Sequence, residues 1–294
     1  MKPSPFAFAR PATLDEAVER LADFVATGAD AKVLAGGQSL VPLLSMRLAA
    51  PAMLVDINAI PGLDHVTADA DGVRVGALAR HSAVLRDQGA RRVQPLVAMA
   101  VANVAHPTIR NRGTTVGSLV HADAAAEMPA VLVLLGGSVA AVSPRGRRSI
   151  GAADLFAGPM ESTLSKDEIA VEAFFPALAT SDGVGFVELS RRHGDYAMCG
   201  VAAIVTLDGS RVTSARASYL SVAEIPTVVD LSQALDGAVD EASLARAGEA
   251  ALAELEPQAD IHATAAYRAQ LVRVLTGRAL RAAHDHAMAR QGAR

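Results

Sequence analysis

A single cysteine, Cys199, serves a chain of 294 residues, and tryptophan is absent. One thiol cannot close an internal disulfide, build a metal cage or hold an iron–sulfur cluster, which takes about four ligands. Any metal chemistry in which the protein takes part therefore belongs to a partner. Three tyrosines and a formal net charge of −4 offer little stacking surface and no electrostatic attraction for a nucleic-acid backbone. Long apolar runs are missing too. Although 51% of the residues are apolar, they come in short stretches of Ala, Val and Leu, far below the roughly 20 that a membrane span needs. The opening Met1-Lys2-Pro3-Ser4-Pro5-Phe6 has one charge and lacks the apolar core of a secretory signal. A cytoplasmic protein with no membrane span and no nucleic-acid partner is expected.

The length suggests two hydrophobic cores. Thr13-Leu14-Asp15-Glu16 fits a capping box, and Leu14, Ala17, Val18, Leu21 and Val25 recur at helical spacing up to Gly28. Lys32 to Ala35 reads as a strand running into Gly36-Gly37, after which Ser39 is placed to cap a short helix through Leu48. Met53 to Ile57 reads as a buried strand, and Asp71-Gly72 as the turn between strands at Val66 to Ala68 and Val73 to Ala77. Pro95 to Val104 is helical in character, His106 to Gly117 reads as a long loop, and Ala124 to Leu135 as a helix. Strands follow at Ser138 to Val142, Arg147 to Ile150 and Ile169 to Phe175. Pro176 closes a first domain, 1–176, and Ala177 to Gly185 breaks both periods as a boundary. In the second domain, 177–294, strands at Phe186 to Leu189, Ala197 to Leu207 and Arg211 to Leu220 precede helices from about Leu231 onward, an α+β arrangement. The Ala263 to Ala289 stretch carries Leu271, Val274, Leu275 and Leu280 on one face, expected to pack into a core.

Two segments suit an anion. Ala35-Gly36-Gly37-Gln38-Ser39 leaves a strand and enters a helix, so amides can converge on a phosphate where Cβ atoms are absent; the plain alternative is a tight turn. Gly113-Thr114-Thr115-Val116-Gly117-Ser118 again offers glycines and hydroxyls ahead of a helix, and two such loops can clasp one pyrophosphate. Other polar groups read as scaffold or surface. His106, His121 and His193 lack a ligand spacing, Asp154, Glu161, Asp167 and Glu168 read as solvated carboxylates, and Arg145, Arg147 and Arg148 as a solvated hairpin edge.

Over nearly its whole length the chain resembles the medium, FAD-binding subunits of carbon monoxide dehydrogenase and related xanthine-dehydrogenase-type molybdenum hydroxylases. The resemblance rests on Leu34-Ala35-Gly36-Gly37-Gln38-Ser39-Leu40-Val41-Pro42-Leu43-Leu44, on Ile109-Arg110-Asn111-Arg112-Gly113-Thr114 leading into Gly117-Ser118-Leu119, and on His121 through Ala130. Arg191-Arg192-His193-Gly194-Asp195-Tyr196-Ala197 is similar to the family's flavin-facing segment. The resemblance implies an α+β fold: a two-part FAD-binding domain of the p-cresol methylhydroxylase/vanillyl-alcohol oxidase type, then a smaller antiparallel-sheet-plus-helices domain. It implies that Val33, Leu34, Ala35, Gly36, Gly37, Gln38, Ser39 and Leu40, with Thr114, Thr115, Val116, Gly117 and Ser118, line the FAD pyrophosphate. Asp123 or Glu127 would reach the adenosine end. Ile109, Ile169 and Ala170 would approach the isoalloxazine, with Asp195 and Tyr196 arriving from the second domain; on its residues alone Tyr196 reads as a half-buried strand aromatic. Val116 departs from the pattern, standing where a glycine is usual. The expected φ there is negative, with the amide offered to phosphate and the side chain turned into apolar neighbours.

The function so implied is electron transfer: FAD as the one cofactor, a small iron–sulfur subunit and a large molybdenum-cofactor subunit as partners, and no catalytic residue in this chain. The acceptor is open among a quinone, dioxygen and NAD. Two alternatives stand beside it, a stand-alone FAD-dependent oxidoreductase of the same fold and a nucleotide-binding module that has lost flavin chemistry.

Overall fold

Thr13 holds an extended backbone and its hydroxyl accepts the Glu16 amide, so helix α1 (Leu14–Ala26) starts where the capping pattern places it. The return bond differs from a capping box, because the Glu16 carboxylate takes the amide of Ala12. The computed structural model describes residues 2–292. In it β1 (Ala7–Ala9), β2 (Ala31–Leu34) and β3 (Met53–Asp56) form a parallel sheet in the order β1-β3-β2. Three residues are too few to show a period, which is why β1 escaped the sequence reading. Helix α2 (Leu40–Met46) follows the first glycine turn, but Ser39 makes no capping hydrogen bond.

A second, antiparallel sheet has the order β4-β5-β10-β6-β7. It begins with the hairpin β4 (Val66–Ala68) and β5 (Gly72–Gly76), then leaves for α3 (His81–Arg86), α4 (Gln88–Val93) and α5 (Pro95–Asn103). The expected loop from His106 to Gly117 is largely helical, with α6 (Pro107–Arg110) opened by proline and α7 (Thr115–His121) capped by Thr114. Elements this short do not reveal a helical period, and Gly117 inside α7 reads as a breaker. Helix α8 starts later than expected (Glu127–Leu135), after an Asx turn in which Asp123 accepts the Ala125 amide.

The sheet is completed by β6 (Ser138–Ser143) and β7 (Gly146–Gly151), α9 (Ala152–Leu155), the small hairpin β8 (Phe156–Gly158) and β9 (Glu161–Ser162), and β10 (Ile169–Pro176). Asp154 and Glu161 are exposed as expected, but Asp167 and Glu168, expected as solvated carboxylates, are paired with arginines of the hairpin. Arg145 forks onto Asp167 at 2.5 and 2.9 Å, Arg148 onto the buried Glu168 at 2.6 and 2.7 Å, and Arg147 reaches Glu172 at 3.2 Å. The Arg148 fork holds the Glu168 carboxyl below the ordinary glutamate range.

The last sheet is antiparallel, β11 (Asp182–Ser190), β12 (Ala197–Asp208), β13 (Arg211–Leu220) and β14 (Thr227–Asp230) in that order. Helices α10 (Ser232–Leu235), α11 (Glu241–Ala253) and α12 (Ala265–Gly292) follow. Strand β11 starts at Asp182, inside the segment expected to be a boundary. Gly183 and Gly185 there are not breakers but landing places for α12. A Cβ on Gly183 would meet the Ala283 carbonyl and the Ala287 amide, and one on Gly185 the Ala279 carbonyl. Leu271, Leu275 and Leu280 are buried on α12 as expected, whereas Val274 is 38% exposed; Ala279, Ala283 and Ala287 take the contact because only small residues fit against a glycine-bearing strand.

Two large cores are found, and β12 belongs to both. Cys199, Val201, Ala203, Val205 and Leu207 face the core under α11 and α12, while Ala202 and Ile204 join that of the first domain. A small cluster of Ala130, Ala197 and Leu220 continues the junction at α8. Each face of β12 thus buries its alternate residues, and the last sheet is sandwiched between its own helices and those of the first domain. Gly183→Ala should lower unfolding stability by about 1–3 kcal/mol, the usual cost of overpacking. Gly292→Ala, with nothing near the added atom, should not. Equal denaturation midpoints for the two variants would refute this account of α12 docking.

Candidate functional site

The first glycine turn leaves β2 with Gly37 at φ +72°, a conformation that favours glycine. Gly36 is glycine for another reason, because a Cβ there would run into the Arg112 carbonyl and stand 2.8 Å from Gly113 Cα. Gln38 folds back onto the Gly36 carbonyl at 3.1 Å, and its Cγ lies beside Gly113. The two glycine segments, over seventy positions apart, are thus in direct contact.

The second segment is a helix start. Thr114 Oγ1 accepts the Gly117 amide at 3.1 Å, and an added Cβ on Gly117 would lie 2.6 Å from that same oxygen, so the cap itself asks for glycine. Of the four amides from Thr115 to Ser118, those of Thr115, Gly117 and Ser118 already have protein acceptors, which leaves that of Val116. Val116 lies in α7 and is not among the positive-φ residues; its side chain is 2% exposed and belongs to the first core. Its φ is negative, as expected, and helical; the glycine missing here is replaced by a core residue.

Behind both turns lies a polar clamp that the sequence reading missed. Asn58 Nδ2 donates to the Ala35 carbonyl at 2.8 Å and to Asp56 Oδ1 at 2.6 Å. Arg80 donates through Nη2 to Asn58 Oδ1 and through Nη1 to the Arg112 carbonyl, both at 2.7 Å. Next to it the His81 amide donates to the Gly113 carbonyl, and buried His81 Nδ1 lies 3.2 Å from Thr115 Oγ1. Burial, with the charge of Arg110 adding to it, pushes the His81 imidazole down to about 4, so the ring is neutral near neutral pH. The signal available in sequence was an arginine directly after the apolar run Ala77-Leu78-Ala79.

Arg110 connects this region to the carboxylates. Its guanidinium holds the Val104 and Ala105 carbonyls and acts electrostatically on both His81 and Glu127. Burial and the nearby Asp123 raise the Glu127 carboxyl to about 7. From the second domain comes Glu188, not anticipated either, whose Oε2 is buried without a hydrogen-bond partner among the described residues. Burial first and Glu127 second push it up to about 8. Tyr196 is 63% exposed, yet its phenol is held above the ordinary range by the surrounding protein and by Asp123 and Glu127. Gly194 packs against the His106 ring, which seats the Arg191-to-Tyr196 loop on the start of α6, one turn from Ile109. Asp195 is exposed on this loop. Ile169 is different: its side chain is sealed in the first core, and Ala170 is the partly accessible neighbour.

A concavity of about 370 Å³ lies elsewhere, on the outer face of the five-stranded sheet, and none of these residues lines it. Among the described residues no three His, Cys, Asp or Glu side chains group as metal ligands, and no helix is long and apolar enough to cross a membrane.

Comparison with known proteins identifies the family. Residues 4–178 match the family model described as the FAD binding domain in molybdopterin dehydrogenase, and residues 185–283 that of the CO dehydrogenase flavoprotein C-terminal domain. The chain is 40% identical to the 6-hydroxypseudooxynicotine dehydrogenase complex subunit alpha of Paenarthrobacter nicotinovorans, over 95% of each chain. It is 38% identical to the nicotine 6-hydroxylase medium subunit of the same organism, over 95% of this chain and 98% of that one. Quinoline 2-oxidoreductase from Pseudomonas putida 86 superposes with a TM-score of 0.91 at 36% identity, covering 98% of this chain and 100% of the other. The two matched domains define a flavoprotein with FAD as its cofactor. More narrowly, the chain belongs to the family of medium, FAD-binding subunits of molybdenum hydroxylases.

Glu127 and Glu188 titrate well above the roughly 4.3 of a free glutamate. The folded chain therefore holds protons that the unfolded chain has released, and this stability, complete below about pH 4, is lost as pH rises through 7 and 8. His81 acts oppositely and only below about pH 6.5, where the unfolded imidazole takes up a proton that the folded one refuses. The thermal midpoint should consequently fall between about pH 6.5 and 8.5, and Glu188→Gln should flatten that slope. An unchanged slope in the variant would remove Glu188 from the cluster.

Proposed function

We propose that the chain is the electron-transfer subunit of a molybdenum hydroxylase complex, working between the iron–sulfur clusters of a small partner subunit and an external acceptor. A large subunit with the molybdenum cofactor is the place of substrate oxidation. The observation that carries the reading is the direct packing of the two glycine segments, with no space for a side chain on Gly36. That approach leaves a backbone-lined surface of the kind a diphosphate needs. Bound FAD supplies the redox chemistry, and the protein binds, orients and shields it.

In this reading Val33 to Leu40 and the start of α7 hold the diphosphate, with the Val116 amide as the donor α7 contributes. Asp123 or Glu127 accepts sugar hydroxyls toward the adenosine end. Ile109 and Ala170 lie toward the ring, with Asp195 and Tyr196 facing it from the second domain, and Ile169 contributes main chain only. A cytoplasmic location belongs to the same reading, supported by a lone Cys199 that burial keeps protonated, its thiol pushed up to about 12. Names of relatives such as "complex subunit alpha" and "medium subunit" support the need for partner chains.

The purified chain should take up one FAD and release it into the supernatant on acid precipitation. Absence of any uptake would sink the reading, and flavin retained in the pellet would contradict the noncovalent site. It should oxidise no substrate without partners, and rapid turnover by the chain alone would favour the stand-alone oxidoreductase.

Tyr196 senses both Asp123 and Glu127, although the reading sends them toward opposite ends of an extended dinucleotide. Glu127→Gln separates the cases. If Glu127 serves the adenosine, the variant should bind FAD about tenfold more weakly, the worth of one hydrogen bond to a charged group, and bind FMN as before. Equal losses for FMN would move Glu127 to the ring end beside Tyr196.

A further inference from the structure

We propose that Arg80 and Asn58 are positioning residues for FAD: they set the gap between the two glycine turns, and so the affinity for the diphosphate, without touching it. This rests on the FAD reading above. The argument begins with the path of hydrogen bonds. The Ala35 carbonyl of the first turn is held by Asn58 Nδ2 at 2.8 Å, Asn58 Oδ1 by Arg80 Nη2 at 2.7 Å, and the Arg112 carbonyl of the second turn by Arg80 Nη1 at 2.7 Å. Four chain segments remote in sequence are linked in series. Asn58 is itself aimed by Asp56, which accepts both its side-chain and its backbone N–H.

The carbonyl at the end of this path is the one that occupies the space beside Gly36. Without the guanidinium it loses a hydrogen-bond donor and with it the reason to stay turned toward Gly36. Irregular turns have no ladder of their own to satisfy such groups, so their relative position depends on the side chains behind them. Arginine suits this place because its planar fork reaches two acceptors in fixed directions, whereas lysine presents a point charge on a flexible stem. A guanidinium behind an anion site also adds positive potential, and the substitutions below separate that contribution from geometry.

The experiment uses the full chain and measures FAD dissociation constants, together with melting curves with and without saturating FAD, for the parent, Arg80→Met, Arg80→Lys, Asn58→Ala and the double variant Arg80→Met/Asn58→Ala. Both single losses, Arg80→Met and Asn58→Ala, should weaken FAD ten- to a hundredfold. The double variant should be no worse than the weaker-binding single, because one path is cut in two places. Arg80→Lys should fail to restore affinity. The increment that FAD adds to the melting temperature should shrink, while the flavin-free midpoint stays within a few degrees of the parent and the visible spectrum of saturated flavin is unchanged.

Additive losses would overturn the proposal. So would full rescue by lysine, which would leave only charge, or a drop in the flavin-free midpoint as large as that of the loaded protein. Should Arg80→Met not fold, the cycle is run with Arg80→Lys and Asn58→Ala, and additivity there overturns it equally. A parent that binds no FAD defeats the functional reading itself, whereas a parent that binds and variants that bind as tightly defeat the clamp alone.

Discussion

The Arg112 carbonyl lies where a side chain on Gly36 would have to go, and one arm of the Arg80 guanidinium keeps it there. Other features of the site follow from that contact. It brings a turn leaving a parallel sheet against a turn entering a helix, and it aligns Gly113 under Gln38 and over His81. A peptide carbonyl left without a partner in such a place costs about 1–3 kcal/mol. The guanidinium and the Asn58 amide therefore stabilise an irregular stretch of chain as they fix its shape.

The carboxylates of the junction obey a different constraint. Glu127 at the start of α8 and Glu188 on β11 come from the two domains; burial does most of the work of raising both, Asp123 adds to it at Glu127, and Glu127 adds to it at Glu188. The junction thus favours having a proton there, which lets two acids approach across a domain boundary. Arg110 moderates this from the Glu127 side, since its charge favours the ionised form. It is also the group that ties up the carbonyls at the end of α5, so a structural cap and an electrostatic neighbour are one residue.

How much of this was legible in the sequence differs by element. Strands with clear alternation, such as β6, β10 and β13, and the long helices α1 and α12 could be read because their periods run for several repeats. The segment from Pro107 to His121 could not, since α6 and α7 are each too short for a period and are opened by local capping chemistry that a loop would also contain. Gly183 and Gly185 look like linker residues in one dimension and are close-contact residues in three. At the site, both glycine turns were legible because glycine has few reasons to recur beside small hydroxyl residues. The clamp was not: Asn58 and Arg80 act on carbonyls 23 and 32 positions away, and no spacing rule joins them. Val116 shows the reverse, a departure from the family pattern that the fold absorbs by burying it.

Strand β12, buried on both faces, has a bearing on how the chain comes into being. Residues 1–181 leave the ribosome before any of the last sheet exists, and α5 and α8 then carry apolar sides whose cover, Ala202 and Ile204 with Phe186 and Leu220, is still unsynthesised. The newborn first domain is consequently sticky for the time it takes to make the rest, and the last sheet, when it arrives, finds a template rather than open solvent. Biogenesis of this protein is an ordered event in which the second half completes the first, and a nascent chain that stalls near Asp182 keeps those apolar sides uncovered.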